Sequence, residues 1–76
     1  MNKYTNTSGK SPITGYTYDE TSITICFKGT EHYIYPISKI GKVHLVEMIS
    51  LANSGQGLCS FINKHRDVWL AGERVR

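Results

Sequence analysis

The sequence predicts an α+β domain: a three-stranded antiparallel β-meander followed by two α-helices that pack on one of its faces. Apolar residues alternate with a period of two in the first half of the chain and recur at three- and four-residue spacing in the second half. The 76 residues leave room for only one domain. Because two helices can cover only one face of such a sheet, the other face is expected to meet solvent or a partner.

Three segments carry the strand signal, residues 13–18 (ITGYTY), 21–28 (TSITICFK) and 32–36 (HYIYP). They are rich in β-branched and aromatic residues, and in the second segment three apolar residues alternate with small or polar ones. Asp19-Glu20 offers the first turn, and Gly29-Thr30 fits a two-residue type II′ turn. The segments therefore predict two consecutive hairpins.

Two amphipathic segments follow, and each predicts one helix. Ser38 is a suitable N-cap for a helix through Ala52, Asn53-Ser54-Gly55 is a helix stop, and Gly57 begins the second helix. The side chains expected on the apolar faces are Leu45, Val46, Met48, Ile49 and Ala52 in the first helix and Leu58, Phe61, Ile62, His65 and Trp69 in the second.

The ends of the chain differ in composition from its middle. Residues 1–12 are polar and rich in Gly, Ser and Thr, which predicts a flexible arm before a single domain at 13–70. Residues 71–76 read as a frayed basic tail. No signal peptide or membrane-spanning run is visible, so we expect a cytoplasmic protein in which Cys26 and Cys59 are free thiols.

The residues that could carry catalysis or bind a metal are few. They are Cys26, His32, His44, Cys59 and His65, and none matches a zinc spacing. Cys59 with His32 or His44 is the one nucleophile–base pair to consider, and it requires the fold to bring distant residues together. The glycines of NSGQGL lack the Lys and Ser/Thr of a phosphate-binding loop. We therefore expect no catalytic residue, metal or cofactor.

The position of two tyrosines decides which function the sequence favours. A two-residue turn at Gly29-Thr30 would pair Cys26 with Tyr33 and Thr24 with Tyr35, which places both tyrosines on the open sheet face. There they could stack on unpaired bases. A one-residue change in loop length would instead place both beneath the helices, and the sequence leaves these alternatives open.

Three segments in order, YDETSITICFKG, YIY and NSGQGLCSFIN, resemble the KTSC domain. This family is named after the C-terminus of some lysyl-tRNA synthetases, and it also occurs as free-standing small proteins. The similarity spans about residues 13–65. The function of the family is not established, and RNA binding has been suggested for it, so the resemblance implies a free-standing RNA-binding domain.

The first functional hypothesis is therefore a non-enzymatic module that binds nucleic acid, RNA in particular. A net charge of +3 with spread basic residues modestly favours an anionic partner. The tyrosines would stack on bases while basic side chains contact phosphates. The residues expected to bind are two aromatic and four basic ones: Tyr33, Tyr35, Lys28, Lys42, Lys64 and Arg66.

The alternative hypothesis is a protein-binding factor, such as a small phage or mobile-element protein that inhibits a host defence complex in the manner of an anti-CRISPR. Its exposed tyrosines and the region of Trp69 would then be interface anchors. A small anion pocket on the open sheet face is a third alternative. The chain is expected to be a monomer, or a dimer if an uncovered edge at residues 33–36 allows sheet extension.

Overall fold

The computed structural model describes residues 2–6, 9, 12–28 and 31–75. Within this part of the chain, four strands precede four helices and a final strand. The elements are β1 Asn2–Lys3, β2 Ile13–Tyr18, β3 Ser22–Phe27, β4 His32–Pro36, α1 Ile37–Ile40, α2 Lys42–Ser54, α3 Leu58–Lys64, α4 Arg66–Ala71 and β5 Glu73–Val75. The α+β class and the central meander are confirmed, but the prediction lacked two strands and two helices.

The sheet is antiparallel throughout, with the strands in the order β1-β2-β3-β4-β5. The helices pack against its central strands, α2 on β3 and both α1 and α4 on β4. On β3, the fully buried Ile23 and Ile25 alternate with the half-buried Thr24 and Cys26. The face with the isoleucines is therefore the core face.

The N-terminal segment was expected to be a flexible arm, and for residues 2–4 that prediction is wrong. Asn2 and Lys3 pair with Tyr16 and Gly15 of β2. Tyr4 is buried, and the Leu58 N–H donates a hydrogen bond to its hydroxyl at 3.4 Å. A two-residue strand is too short to show a periodic signal. Residues 1, 7, 8, 10 and 11 of the predicted arm lie outside the described residues.

The C-terminal segment also differs from the predicted frayed tail. Ala71 completes α4, and Glu73–Val75 form β5, which pairs with β4 from Ile34↔Glu73 to His32↔Val75. Lys39 of α1 forms an ion pair with Glu73. The β4 edge, which we expected to be uncovered at residues 33–36, is therefore paired with β5 over residues 32–34.

Each predicted helix is broken in two. Gly41, at φ +84°, separates α1 from α2, because a left-handed backbone cannot continue a right-handed helix. His65, at φ −109° and ψ 87°, separates α3 from α4. The second break turns Val68 and Ala71 into the core and leaves Trp69 58% exposed. The prediction that Trp69 faces the core is therefore wrong, and Val46, also exposed, was misplaced as well.

The core lies between the sheet and the helices. Its fully buried side chains come from both halves of the chain and are Ile13, Ile23, Ile25, Met48, Leu58 and Val68. Burial of each such side chain contributes about 1.5–3 kcal/mol to folding. Both cysteines are free, as predicted. In the described part of the chain, no helix has the length and apolar character that crossing a membrane requires.

Candidate binding cleft

The pairing of β3 with β4 decides where the two motif tyrosines point. Tyr33 pairs with Ile25 and Tyr35 with Ile23, one residue away from the predicted register. The Phe27 N–H donates to the Glu31 carbonyl at 2.8 Å, so residues 28–30 connect the strands where a two-residue turn was predicted. The predicted turn residues themselves, Gly29-Thr30, lie outside the described residues.

This register places Tyr33 and Tyr35 on the core face with the isoleucines of β3. Tyr35 is only 3% exposed, and Tyr33 is half-buried. The predicted aromatic platform on the open face is therefore wrong, and the alternative that both tyrosines lie on the helix side is confirmed. A change of one residue in register moves every side chain to the opposite face, because strand side chains alternate.

A cleft of about 660 Å³ opens where the core face of the sheet meets α3 and α4. The sheet contributes Phe27, Tyr33 and Tyr35 to its lining. The helices contribute Ile62 and Trp69, among others. Its size is within the range of small-molecule sites, and its lining is mostly aromatic and aliphatic, as such sites usually are.

A few polar groups are placed around this apolar lining. The Tyr33 hydroxyl donates to the Glu31 carboxylate at 3.4 Å, and the Phe27 and Tyr33 rings meet edge to face with centroids 5.6 Å apart. The Asn63 amide lies 3.7 Å from the Cys59 sulfur. Glu31, Cys59 and Asn63 all line the cleft, so it offers an acceptor, a thiol and an amide.

Tyr35 packs against the end of α4. A Cβ on Gly72 would lie 2.7 Å from Tyr35 Cε2 and 3.1 Å from its hydroxyl, so glycine is required for this approach. Burial, together with Tyr33 and Cys59 nearby, raises the pKa of Tyr35 to about 12. The hydroxyl therefore stays protonated at neutral pH, and its end of the ring lies among residues that line the cleft.

A second depression of about 370 Å³ adjoins the cleft and is lined by Asn63, Arg66 and Trp69. Asn63 and Trp69 line both spaces. Arg66 and Trp69 are three residues apart on α4, which places them on one helix face. The exposed indole therefore stands between an apolar cleft and a guanidinium group.

The structure does not bring the predicted basic residues together at this site. Lys28, Lys42, Lys64 and Arg66 are all exposed, but of these four only Arg66 lines either space. The cleft also uses residues that the sequence analysis did not single out for binding, among them Phe27, Asn63 and Leu70. No local sequence pattern indicated that the sheet residues of the cleft would lie against α3 and α4, because these residues are far apart in the sequence.

Two of the three histidines, His44 and His65, form a separate cluster near the α3–α4 break. The His65 ring stacks on Phe61 with centroids 4.2 Å apart and contacts the His44 ring at 5.0 Å. His44 Nδ1 lies 3.7 Å from a carboxylate oxygen of Asp67. Among the described residues no group of three or more His, Cys, Asp or Glu side chains could hold a metal ion.

No protein-family model, curated protein or solved structure matches this chain. The resemblance to the KTSC family therefore stays a prediction, carried only by the three segments that suggested it. The features of the described residues that bear on binding are those of the cleft: its aromatic lining, the Tyr35 hydroxyl and the Glu31 carboxylate inside it, and Arg66 at its border.

Proposed function

We propose that this chain is a non-enzymatic module that binds single-stranded nucleic acid, RNA in particular, in the cleft between the sheet and α3–α4. The observation that supports this most directly is the position of Trp69. Its indole is exposed, lines the cleft on one side and stands beside Arg66 on the other. An unpaired base stacks on such a ring while its phosphate meets the guanidinium.

The distribution of charge determines how the ligand is oriented in the cleft. Glu31 is the one charged residue among the described residues that line the cleft, whereas Arg66 lines the adjoining depression. A phosphate would be repelled by the Glu31 carboxylate and attracted by Arg66. Bases therefore enter the cleft, and the sugar-phosphate backbone passes outside it, where the net charge of +3 also favours it.

The energies expected for this arrangement are modest. Stacking of one base on an aromatic side chain contributes about 1–3 kcal/mol, and each phosphate contact adds a salt-dependent increment. A module with one aromatic cleft and few phosphate contacts is therefore a weak binder on its own. The resemblance to the KTSC family favours RNA over DNA as the polymer.

The test is the fluorescence anisotropy of labelled single-stranded RNA and DNA, titrated with the protein at several salt concentrations. Trp69→Ala removes the stacking surface, and Arg66→Gln removes the phosphate contact. Tyr18→Ala is the matched control, because Tyr18 is an exposed aromatic residue on β2 that does not line the cleft. Circular dichroism establishes that each variant is folded.

We expect Trp69→Ala to weaken binding about five- to a hundredfold, as loss of one stacked base implies. Arg66→Gln should lower the salt dependence by about one phosphate contact. Tyr18→Ala should bind like the wild type. Absence of binding at low salt, or equal losses in Trp69→Ala and Tyr18→Ala, would contradict the proposal.

One observation favours a second candidate, a protein-binding factor that uses the same surface, for example as an inhibitor of a host complex. Leu70, next to Trp69, is 65% exposed. An exposed aliphatic side chain adds little to base stacking, whereas at a protein interface Trp is a typical anchor and an apolar neighbour fits the apolar core around it. Under this alternative, Leu70→Ala weakens partner binding as Trp69→Ala does, and bare RNA does not bind.

A further inference from the structure

Three buried tyrosines in this core differ in how their hydroxyls are paired. The Tyr16 hydroxyl donates to Asn53 Oδ1 at 2.7 Å, and the Tyr4 hydroxyl accepts from the Leu58 N–H at 3.4 Å. Tyr35 is as deeply buried, yet no described residue makes a hydrogen bond with its hydroxyl. Of the three, only Tyr35 lines the cleft.

A buried tyrosine hydroxyl usually has a partner, because a polar group that loses water without gaining one is unfavourable. The Tyr35 hydroxyl has no partner among the described residues, and its oxygen keeps some accessible surface although the residue as a whole is buried. The hydroxyl end of Tyr35 lies beside Gly72, and both residues line the cleft together with Tyr33 and Cys59. A group that enters the cleft is thus placed to supply the partner that the fold does not.

The charge state of the hydroxyl indicates which kind of partner fits. Burial, Tyr33 and Cys59 raise the pKa of Tyr35, so at neutral pH its hydroxyl keeps the proton and can donate a hydrogen bond as well as accept one. The donated bond needs an acceptor on the ligand. The acceptor has to be neutral, because the carboxylate of Glu31 lines the same cleft and none of the described residues that line it carries a positive charge.

We propose that the cleft selects planar, neutral ligands with a carbonyl acceptor at their inner edge, and that Tyr35 donates the selecting hydrogen bond. An unpaired keto base of a strand whose phosphates lie outside at Arg66 belongs to this class. The choice of a nucleobase as the ligand rests on the proposed function, whereas the donor role of Tyr35 rests on the geometry of the cleft alone.

The test uses two free nucleosides, inosine and purine riboside, which share the planar ring system and lack any phosphate. Inosine carries a 6-keto oxygen that purine riboside lacks. Dissociation constants are measured by amide chemical-shift titration of the full chain, for the wild type, Tyr35→Phe and Tyr16→Phe. Tyr35→Phe removes one oxygen and keeps the ring, and Tyr16→Phe is the matched control at a paired hydroxyl.

We expect both nucleosides to bind with dissociation constants of roughly 0.1–10 mM and to shift amides around the cleft. Inosine should bind the wild type about three- to tenfold more tightly than purine riboside, as one hydrogen bond implies. Tyr35→Phe should abolish this preference without lowering Tm. Tyr16→Phe should lower Tm and keep the preference.

The proposal is overturned if Tyr35→Phe keeps the preference for inosine, or if neither nucleoside shifts the cleft amides. These outcomes do not depend on the anisotropy titration with single-stranded RNA and DNA. If single-stranded RNA binds in a way that depends on Trp69 but Tyr35→Phe keeps the preference for inosine, the proposed function stands and the selecting role of Tyr35 is removed. If single-stranded RNA does not bind but Tyr35→Phe loses the preference, the chain has a nucleoside site and does not bind single-stranded nucleic acid.

Discussion

Tyr16 and Tyr35 lie on opposite sides of β3, pack against the same core, and are exposed by only 6% and 3%. On the β2 side, the Tyr16 hydroxyl donates to Asn53, and Tyr16 lines neither the cleft nor the adjoining depression. On the β4 side, the Tyr35 ring borders the open cleft, and its hydroxyl has no partner among the described residues. The two tyrosines are therefore almost equally buried, but of the two only Tyr16 has a hydrogen-bond partner among the described residues and only Tyr35 lines the cleft.

Gly55 and Gly72 both approach another residue closely, and their surroundings also differ between the two sides of the sheet. Gly55 approaches Thr5 of the N-terminal segment, so that a Cβ would lie 2.5 Å from Thr5 Cβ. Gly72 approaches the Tyr35 ring, which has the cleft beside it. A methyl group added at Gly55 would meet the Cβ of Thr5, an atom fixed close to the backbone, whereas one added at Gly72 would meet the far end of a ring that borders the cleft.

The largest effect is expected from Gly55→Ala. Gly55 has φ +77°, so alanine is strained there, and its methyl group would also displace Thr5. We expect the free energy of unfolding to fall by about 2–4 kcal/mol in urea denaturation. Gly57→Ala is the control, because Gly57 has φ +83° but no atom closer than 3.4 Å to the added Cβ. Equal losses in both variants would show that the N-terminal segment is not docked.

The next effect is a loss of stability at alkaline pH that is specific to Tyr35. Its pKa is raised to about 12, so above the ordinary tyrosine pKa the unfolded chain loses a proton that the folded chain keeps. Stability is therefore fully present below pH ~10 and falls as the pH rises toward ~12, by about 2 kcal/mol for this group. Urea denaturation across this range should show a steeper fall for the wild type than for Tyr35→Phe. Parallel curves would contradict the burial of the hydroxyl.

Gly72→Ala should cost less than Gly55→Ala. Gly72 has φ −64°, which any residue adopts, so the cost comes only from displacing the Tyr35 ring. We expect a loss of about 1–2 kcal/mol in the free energy of unfolding, reduced because the ring can move into the cleft. The double variant with Tyr35→Leu should recover most of this loss. If the losses add without recovery, the contact between Gly72 and Tyr35 is not the cause.

The smallest effect compares the two hydroxyls directly. Tyr16→Phe removes the hydrogen bond to Asn53 and should lower the free energy of unfolding by about 1 kcal/mol. Tyr35→Phe removes a hydroxyl that no described residue pairs, so its stability should be unchanged or slightly higher. Thermal denaturation of both variants measures the difference. A larger loss for Tyr35→Phe would reverse the comparison on which the cleft proposal depends.

Much of the fold could be predicted because its signals are local. The alternation of Ile23 and Ile25 and the turn at Asp19 are contained within a few residues, and the Asp19 carboxylate accepts hydrogen bonds from the Thr21 and Ser22 N–H groups at 2.8 and 2.9 Å. These hydrogen bonds lower the pKa of Asp19. The terminal strands β1 and β5 were missed because a strand of two or three residues is too short to show alternation of apolar and polar side chains. Their pairing depends on the rest of the sheet.

The candidate site could not be predicted, because it depends on a register that the sequence leaves open by one residue. The pairing of β3 with β4, in which the Phe27 N–H donates to the Glu31 carbonyl, puts Tyr33 and Tyr35 on the helix side, and no local pattern distinguishes this register from the one that a two-residue turn would give. The break at His65 then exposes Trp69, although its spacing placed it on the core face. Aromatic and basic residues were predicted for binding, and both types line the cleft or the adjoining depression, but which of them lie together is seen only in the structure.

The way β5 covers β4 has a consequence for aggregation. Both outer strands are very short, two residues in β1 and three in β5, and short edges resist the addition of strands from other molecules. If Glu73–Val75 detach, the β4 edge from His32 to Ile34 becomes free to pair with another chain. We therefore expect local opening of these three residues, without unfolding of the core, to be enough to expose an edge for such pairing.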